Sequence, residues 1–283
     1  MTGPANQPLV STDWLAENLG QPGLAVFDAT MYLPNEPQDG RSEYLRAHIP
    51  GAHFFDINAI ADNETELPHM LPTPGRFARL IGALGVGNGS RVVFYDQKGL
   101  ASAARGWWMM GVFGHDDAAV LDGGLPKWRT EGRPFEAGEP PPARPEPFRP
   151  DWRARRVRGV GDILANLGPG TELVLDARAL ARFHGTAPEP RPGMRSGHIP
   201  GATSLPYGEL LNPDSTFRSR EALRQRFAKA GADGSRPVVT SCGSGVSAAI
   251  LTLGLALAGL PQGALYDGSW AEGGGRPDTP IER

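Results

Sequence analysis

The sequence predicts an α/β protein of two tandem, mutually similar domains, each a parallel sheet flanked by helices on both faces. Three observations carry that expectation: an internal duplication, a proline-rich break between its halves, and short apolar strands alternating with helical segments. The segment His48-Ile49-Pro50-Gly51-Ala52 returns as His198-Ile199-Pro200-Gly201-Ala202, an offset of 150 residues. Val26-Phe27-Asp28-Ala29 returns as Val174-Leu175-Asp176-Ala177 at 148. The run from Arg91 to Asp96 aligns with Arg236 to Cys242 near 146, and Leu121-Asp122-Gly123-Gly124 with Tyr266-Asp267-Gly268-Ser269 at about 145. Four landmarks in one order, with a slowly drifting offset, mark homologous halves. A period this long means two globular units rather than a stacked repeat array. The length of 283 residues also exceeds the usual size of a single core.

In the first half, Leu24–Asp28, Arg91–Tyr95 and Ala118–Leu121 are short β-rich runs separated by helical segments. Between Gly138 and Trp152 lie Pro140, Pro141, Pro142, Pro145, Pro147 and Pro150. Such a stretch forms neither helix nor central strand and is expected to run extended over the surface. It divides the chain into a first domain, 1–137, a linker, 138–152, and a second domain, 153–283. There the runs Leu173–Asp176, Val238–Ser241 and Ala264–Tyr266 repeat the strand pattern. The segment from Val246 to Gly259 is apolar almost all round and predicts a buried helix. Strands alternating with helices form parallel βαβ units, and sites in such sheets lie at the carboxyl ends of strands.

Cys242, the only cysteine, falls at such an end, in Ser241-Cys242-Gly243-Ser244-Gly245-Val246-Ser247-Ala248. The chain turns there through two glycines into a helix N-terminus, where unpaired N–H groups and the helix dipole favour an anion. The dipole contributes about 0.3–1 kcal/mol on an exposed group, and up to ~2 when partly buried. This setting makes Cys242 a candidate nucleophile rather than an ordinary buried thiol.

Hydrophobic content of 40% and charged content of 21% are ordinary for a soluble globular chain. A net charge of −3 argues against a nucleic-acid partner. Met1-Thr2-Gly3-Pro4 does not open a signal peptide, and the longest apolar segment, Ala248 to Leu260, is too short to span a bilayer. No membrane association is expected. A single cysteine forms no internal disulfide, which fits a reducing cytoplasm. His48, His53, His69, His115, His184 and His198 show no metal-ligand spacing, so neither metal nor cofactor is expected.

Two tandem domains that each carry His-Ile-Pro-Gly-Ala, with one cysteine in the second, resemble the rhodanese sulfurtransferases. The resemblance extends over nearly the whole chain and includes His69-Met70-Leu71-Pro72 and Asp122-Gly123-Gly124-Leu125. The loop Cys242-Gly243-Ser244-Gly245-Val246-Ser247-Ala248 is similar to that of the 3-mercaptopyruvate branch. The thiosulfate branch typically places Arg and Lys where Gly243 and Ser244 stand. Ser247 replaces the family's common threonine, and Gly273 stands where relatives often have a second tryptophan.

The resemblance implies a transferase in which Cys242 attacks the sulfur of 3-mercaptopyruvate, forms a persulfide and passes it to an acceptor, releasing pyruvate. The acceptor is a thiol, such as thioredoxin or a small thiol, or cyanide. The N–H groups of Gly243, Ser244, Gly245, Val246 and Ser247 are expected to ring the outer sulfur. Arg182 and Arg191, in a Gly/Pro-rich loop after the strand ending in Asp176, match the family's substrate-binding arginines and suit a carboxylate. Ser244 and His69 match a proposed proton relay. The family's acid partner is often eleven residues before that histidine, and Asn58 stands there; Asp56 or Asp62 is the alternative. Cysteine phosphatases share the loop layout but need an arginine six residues after the nucleophile, where this chain has Ala248. Asp96 occupies the first domain's equivalent of Cys242, so that domain is expected to be catalytically inactive and to supply a wall of the cleft. Two alternatives stay open: a thiosulfate:cyanide sulfurtransferase, and a persulfide carrier without fast turnover.

His48, His198, Asp28 and Asp176 recur in both halves and read as fold geometry, Trp107 and Trp108 as packing, and Arg178 and Arg195 as surface or structural charges.

Overall fold

The computed structural model describes residues 7–283, so the segment Met1–Pro4 lies outside the described residues. Each half forms a five-stranded, wholly parallel sheet. The first contains β1 (Leu9–Val10), β2 (Leu24–Asp28), β3 (His53–Phe54), β4 (Arg91–Tyr95) and β5 (Ala118–Leu121). The second contains β6 (Val157–Arg158), β7 (Leu173–Asp176), β8 (Thr203–Ser204), β9 (Val238–Ser241) and β10 (Ala264–Tyr266). The orders, β1-β5-β4-β2-β3 and β6-β10-β9-β7-β8, are the same path traced twice. The six strands expected from the sequence are present over the expected residues; the four two-residue strands are too short to leave a sequence pattern.

Helices α1 (Thr12–Asn18), α2 (Gly40–Arg46), α3 (Ile57–Ile60), α4 (Pro74–Ala83), α5 (Ala103–Val112) and α6 (Gly124–Thr130) belong to the first half. Helices α7 (Val160–Asn166), α8 (Leu180–Phe183), α9 (Arg220–Lys229), α10 (Ala248–Ala258) and α11 (Ser269–Gly273) belong to the second. Period-two alternation splits each strand between two faces. Phe27, Val92, Phe94 and Val120 face one core, while Val26, Val93, Tyr95 and Leu121 face a second with Leu15 and Trp128. The second sheet divides likewise, with Val174, Val239 and Tyr266 packed against Ile163 and Trp270.

The large core is shared. Helix α5 of the first half, with Trp107 and Met110, packs on α10 of the second, with Ile250 and Leu251, in one continuous apolar cluster. Helix α10 begins at Ala248 rather than Val246, because Gly245 turns the chain at φ +75°; Gly259, at φ +70°, closes it. Trp107 and Trp108 are core residues, as expected.

The His-Ile-Pro-Gly-Ala segments are structural twins. His48 Nδ1 lies 2.9 Å from the Tyr44 carbonyl and His198 Nδ1 2.9 Å from that of Phe183. Glu136 and Glu282 each accept the amide of the segment's glycine, Gly51 or Gly201, at 2.9 Å.

The proline-rich stretch is extended and largely exposed, but it is strapped to the first domain rather than free. Glu146 N–H donates to the Gly82 carbonyl at 2.9 Å, Asn88 exchanges two bonds with the Arg149 backbone, and Phe148 is buried against Phe77. A Cβ on Gly82 would lie 2.4 Å from the Glu146 carbonyl oxygen. Alanine at an open helical position normally gains about 1 kcal/mol over glycine. Here Gly82→Ala is expected instead to lose roughly 1–3 kcal/mol in urea unfolding, because the strap must lift. A variant as stable as the parent would show that the strap is not held.

Candidate active site

Cys242 directly follows β9, the central strand, and the register Asp176↔Ser241 brings the loop after β7 to the same rim. The cysteine loop is anchored by its carbonyls. That of Cys242 accepts from Trp270 N–H at 3.0 Å, that of Gly243 from Ala271 N–H at 2.7 Å, and that of Gly245 from Arg105 Nη1 at 3.2 Å. With the carbonyls drawn outward, the N–H groups of Gly243 through Ser247 are left without acceptors among the described residues. They form an open anion nest beside the buried thiol. Glycine is required at 245: its φ is +75°, and a Cβ there would lie 2.7 Å from the Asp267 carbonyl oxygen.

The first domain shows what such a loop binds. Asp96, after the matching strand β4, accepts the N–H groups of Ala101, Ser102 and Ala103 on Oδ2 at 2.8, 2.9 and 2.9 Å, and that of Lys98 on Oδ1 at 3.0 Å. Its nest is filled by its own carboxylate; the Cys242 nest is open.

A cleft of about 320 Å³ lies between the domains. Cys242, Gly243, Ser244, Val246, Ser247, Arg182 and Arg191 all line it, while Gly245 is not among its lining residues. The first domain contributes Met31, Leu33, Lys98 and Ala101.

The two arginines differ. Arg182 pairs with the buried Glu189, which also binds the fully buried Arg178 at 2.7 Å; Arg178 in turn holds Asp176 at 2.7 Å. Arg191 has no carboxylate within ion-pairing distance among the described residues, and burial lowers its proton affinity from the usual arginine value. It is the more available anion clamp. Arg195 holds the tail through the Gly273 and Gly274 carbonyls, each at 3.0 Å, so it is structural, as expected.

His69 enters from the first domain at φ +63°, and its Nδ1 lies 3.0 Å from Ser244 Oγ. Burial, with Arg191 and Arg105 adding, pushes its pKa down to about 3, so the imidazole is neutral near pH 7. No hydrogen bond joins Asn58, Asp56 or Asp62 to the ring among the described residues. Asp56 instead caps α3 through the Asn58 and Ala59 amides, and Asp62 takes the Glu64 amide. The suggested acid partner is therefore not supplied by these positions: the carboxylates of Asp56 and Asp62 are spent on local turns.

Sequence reasoning passed over Arg105 and Asp267, a buried pair across the interface at 2.7 Å. A signal existed: Arg105 is the only charge in the wholly buried helix α5, and a buried charge needs a partner. It also passed over Lys98 and Tyr207 in the cleft wall, where nothing local marks them.

The depressed His69 pKa has a stability consequence. Between pH 6.5 and about 3 the unfolded chain binds this proton and the folded chain does not, so stability falls as pH drops through that window. The slope from this group is up to about 1.4 kcal/mol per pH unit. His69→Gln should flatten the dependence in urea unfolding between about pH 5 and 7. Equal slopes in parent and variant would contradict the burial of a neutral ring.

The rhodanese-like domain model matches this chain twice, over residues 11–131 and 160–274. The chain is 43% identical to the 3-mercaptopyruvate sulfurtransferase of Homo sapiens, covering 93% of this chain and 91% of the relative. It is 42% identical to thiosulfate/3-mercaptopyruvate sulfurtransferase 1, mitochondrial, of Arabidopsis thaliana, covering 98% and 78%. The crystal structure of SseA, a 3-mercaptopyruvate sulfotransferase from Escherichia coli, superposes with a TM-score of 0.84 at 38% identity, covering 93% of this chain and 98% of that one. Duplicated sheets, a cysteine nest in one half and a self-filled nest in the other thus have a common origin: the chain belongs to the rhodanese family, as a tandem pair of its domains.

Proposed function

We propose that the protein is a sulfurtransferase that takes sulfur from 3-mercaptopyruvate onto Cys242 and hands it to a thiol or to cyanide. The observation that carries this reading is the open nest of N–H groups around a lone thiol, in a cleft that also presents Arg182 and Arg191. The donor's carboxylate suits those guanidiniums, Arg191 foremost because among the described residues no carboxylate ion-pairs with it. The Cys242 thiolate attacks the donor's sulfur; the S–S bond forms, the C–S bond breaks, and its electron pair leaves on carbon as the enolate of pyruvate. The nest stabilises the resulting persulfide. The Ser244 hydroxyl gives the enolate its proton and recovers one from His69 Nδ1–H while the ring takes another from solvent, so that both residues end as they began. An acceptor thiolate then attacks the outer sulfur and regenerates the Cys242 thiolate. The loop residues Gly243 and Ser244, in place of two cations, favour the mercapto keto acid over thiosulfate. A carrier that must begin as a free thiol fits the reducing cytoplasm.

Intact-protein mass spectrometry after addition of 3-mercaptopyruvate is expected to show one added sulfur with stoichiometric pyruvate, and Cys242→Ser to show neither. Sulfur uptake by Cys242→Ser would overturn the assignment. A larger kcat/KM with thiosulfate would move the protein to the alternative donor, and one burst without turnover would make it a carrier. Arg191→Ala is expected to lower kcat/KM about tenfold to hundredfold through loss of a charge-assisted bond of roughly 1.5–3 kcal/mol. An unchanged value would place Arg191 outside the donor site.

A further inference from the structure

Arg105 is fully buried, and it comes from the domain that lacks the cysteine. Its guanidinium stacks 4.5 Å from the Trp108 ring, and it donates to three oxygens. Nη2 binds Asp267 Oδ1 at 2.7 Å and the His69 carbonyl, and Nη1 binds the Gly245 carbonyl at 3.2 Å. The other oxygen of Asp267 accepts the Leu71 amide at 2.7 Å. Two of these acceptors belong to residues with left-handed backbone, His69 at φ +63° and Gly245 at φ +75°. For a non-glycine residue that conformation costs about 1–2 kcal/mol and persists only where the surroundings hold it. Stability alone gives a buried ion pair little reason to exist, since apolar replacements are often as stable. What this pair does is join the strained His69 to the left-handed turn at Gly245, the two points on which the reaction geometry turns.

We propose that Arg105, anchored by Asp267, is a positioning residue for sulfur transfer. By holding the Gly245 carbonyl outward it keeps the loop amides turned toward Cys242. By holding the His69 carbonyl it keeps the imidazole on Ser244. A first-domain side chain thereby sets the geometry of a second-domain nest, so the domain without a cysteine takes part in the chemistry as more than a cleft wall. The inference rests on the persulfide reading above, but not on the identity of the donor.

The test uses the full chain with Arg105→Lys, which keeps the charge beside Asp267 but loses the planar fork. The double variant Arg105→Met/Asp267→Leu removes both charges and guards against simple misfolding. Thermal melting reports folding. Single-turnover pyruvate release and KM report the reaction, and intact mass reports the lifetime of a persulfide loaded from sodium tetrasulfide. In folded Arg105→Lys, pyruvate release should slow on the order of tenfold to hundredfold, the scale expected of a misplaced reacting group. The loaded persulfide should decay faster, while KM stays within about twofold because Arg182 and Arg191 lie on another loop. Parental rate and persulfide lifetime in either folded variant, or a raised KM with unchanged kcat, would overturn the proposal. If the parent chain releases no pyruvate, the donor assignment fails, and persulfide lifetime alone decides the role of Arg105.

Discussion

The site depends on the packing of α5 against α10. Each helix follows the central strand of its sheet, and each is buried almost completely. Their contact merges the inner faces of both sheets into one core, which fixes the two carboxyl rims relative to each other. Everything that crosses the cleft relies on that rigidity: the His69–Ser244 contact, the Arg105–Asp267 pair and the wall contributed by Met31 and Leu33. An apolar interface of this kind resists the domain motion that smaller, more polar interfaces allow.

The duplication has led the same loop to two uses. In the first domain the side chain after the central strand is long enough and charged, and it satisfies its own nest. In the second, the shorter cysteine side chain leaves the amides for an external sulfur. The residue after the central strand, Asp96 in one half and Cys242 in the other, decides whether the nest is filled from within, in loops that also differ by one residue in length. The electrostatics of the cleft follow the same logic. Arg182 and Arg178 share the buried Glu189, Arg191 has no ion-pair partner among the described residues, and His69 is held neutral by burial and by the cations around it. The excess positive charge is directed where an anionic donor would sit.

Much of this was legible in the chain. The six longer strands were readable because each is an apolar run bounded by turn residues, and the duplication gave each an independent second instance. The nucleophile was readable because a strand, two glycines and an apolar helix define a loop geometry almost without tertiary help. Arg182 and Arg191 could be placed on the same rim once the sheet was read as parallel. The helix start was misjudged by two residues, because the left-handed turn at Gly245 depends on Asp267 and Arg105 closing around it. The linker's extended course was readable from its prolines, but its anchorage was not, since the burial of Phe148 arises from contacts with distant Phe77 and His115.

By itself the sequence determined the two-domain parallel fold and the single thiol at a strand end, because local patterning and a repeat carry that information. Only the tertiary structure decided which side chains complete the site. Whether an acid reaches His69, whether Glu189 neutralises Arg182, and whether Arg105 bridges His69 to Gly245 are all contacts between residues far apart in the chain. Such contacts are set by how two cores join, and no local pattern encodes the result.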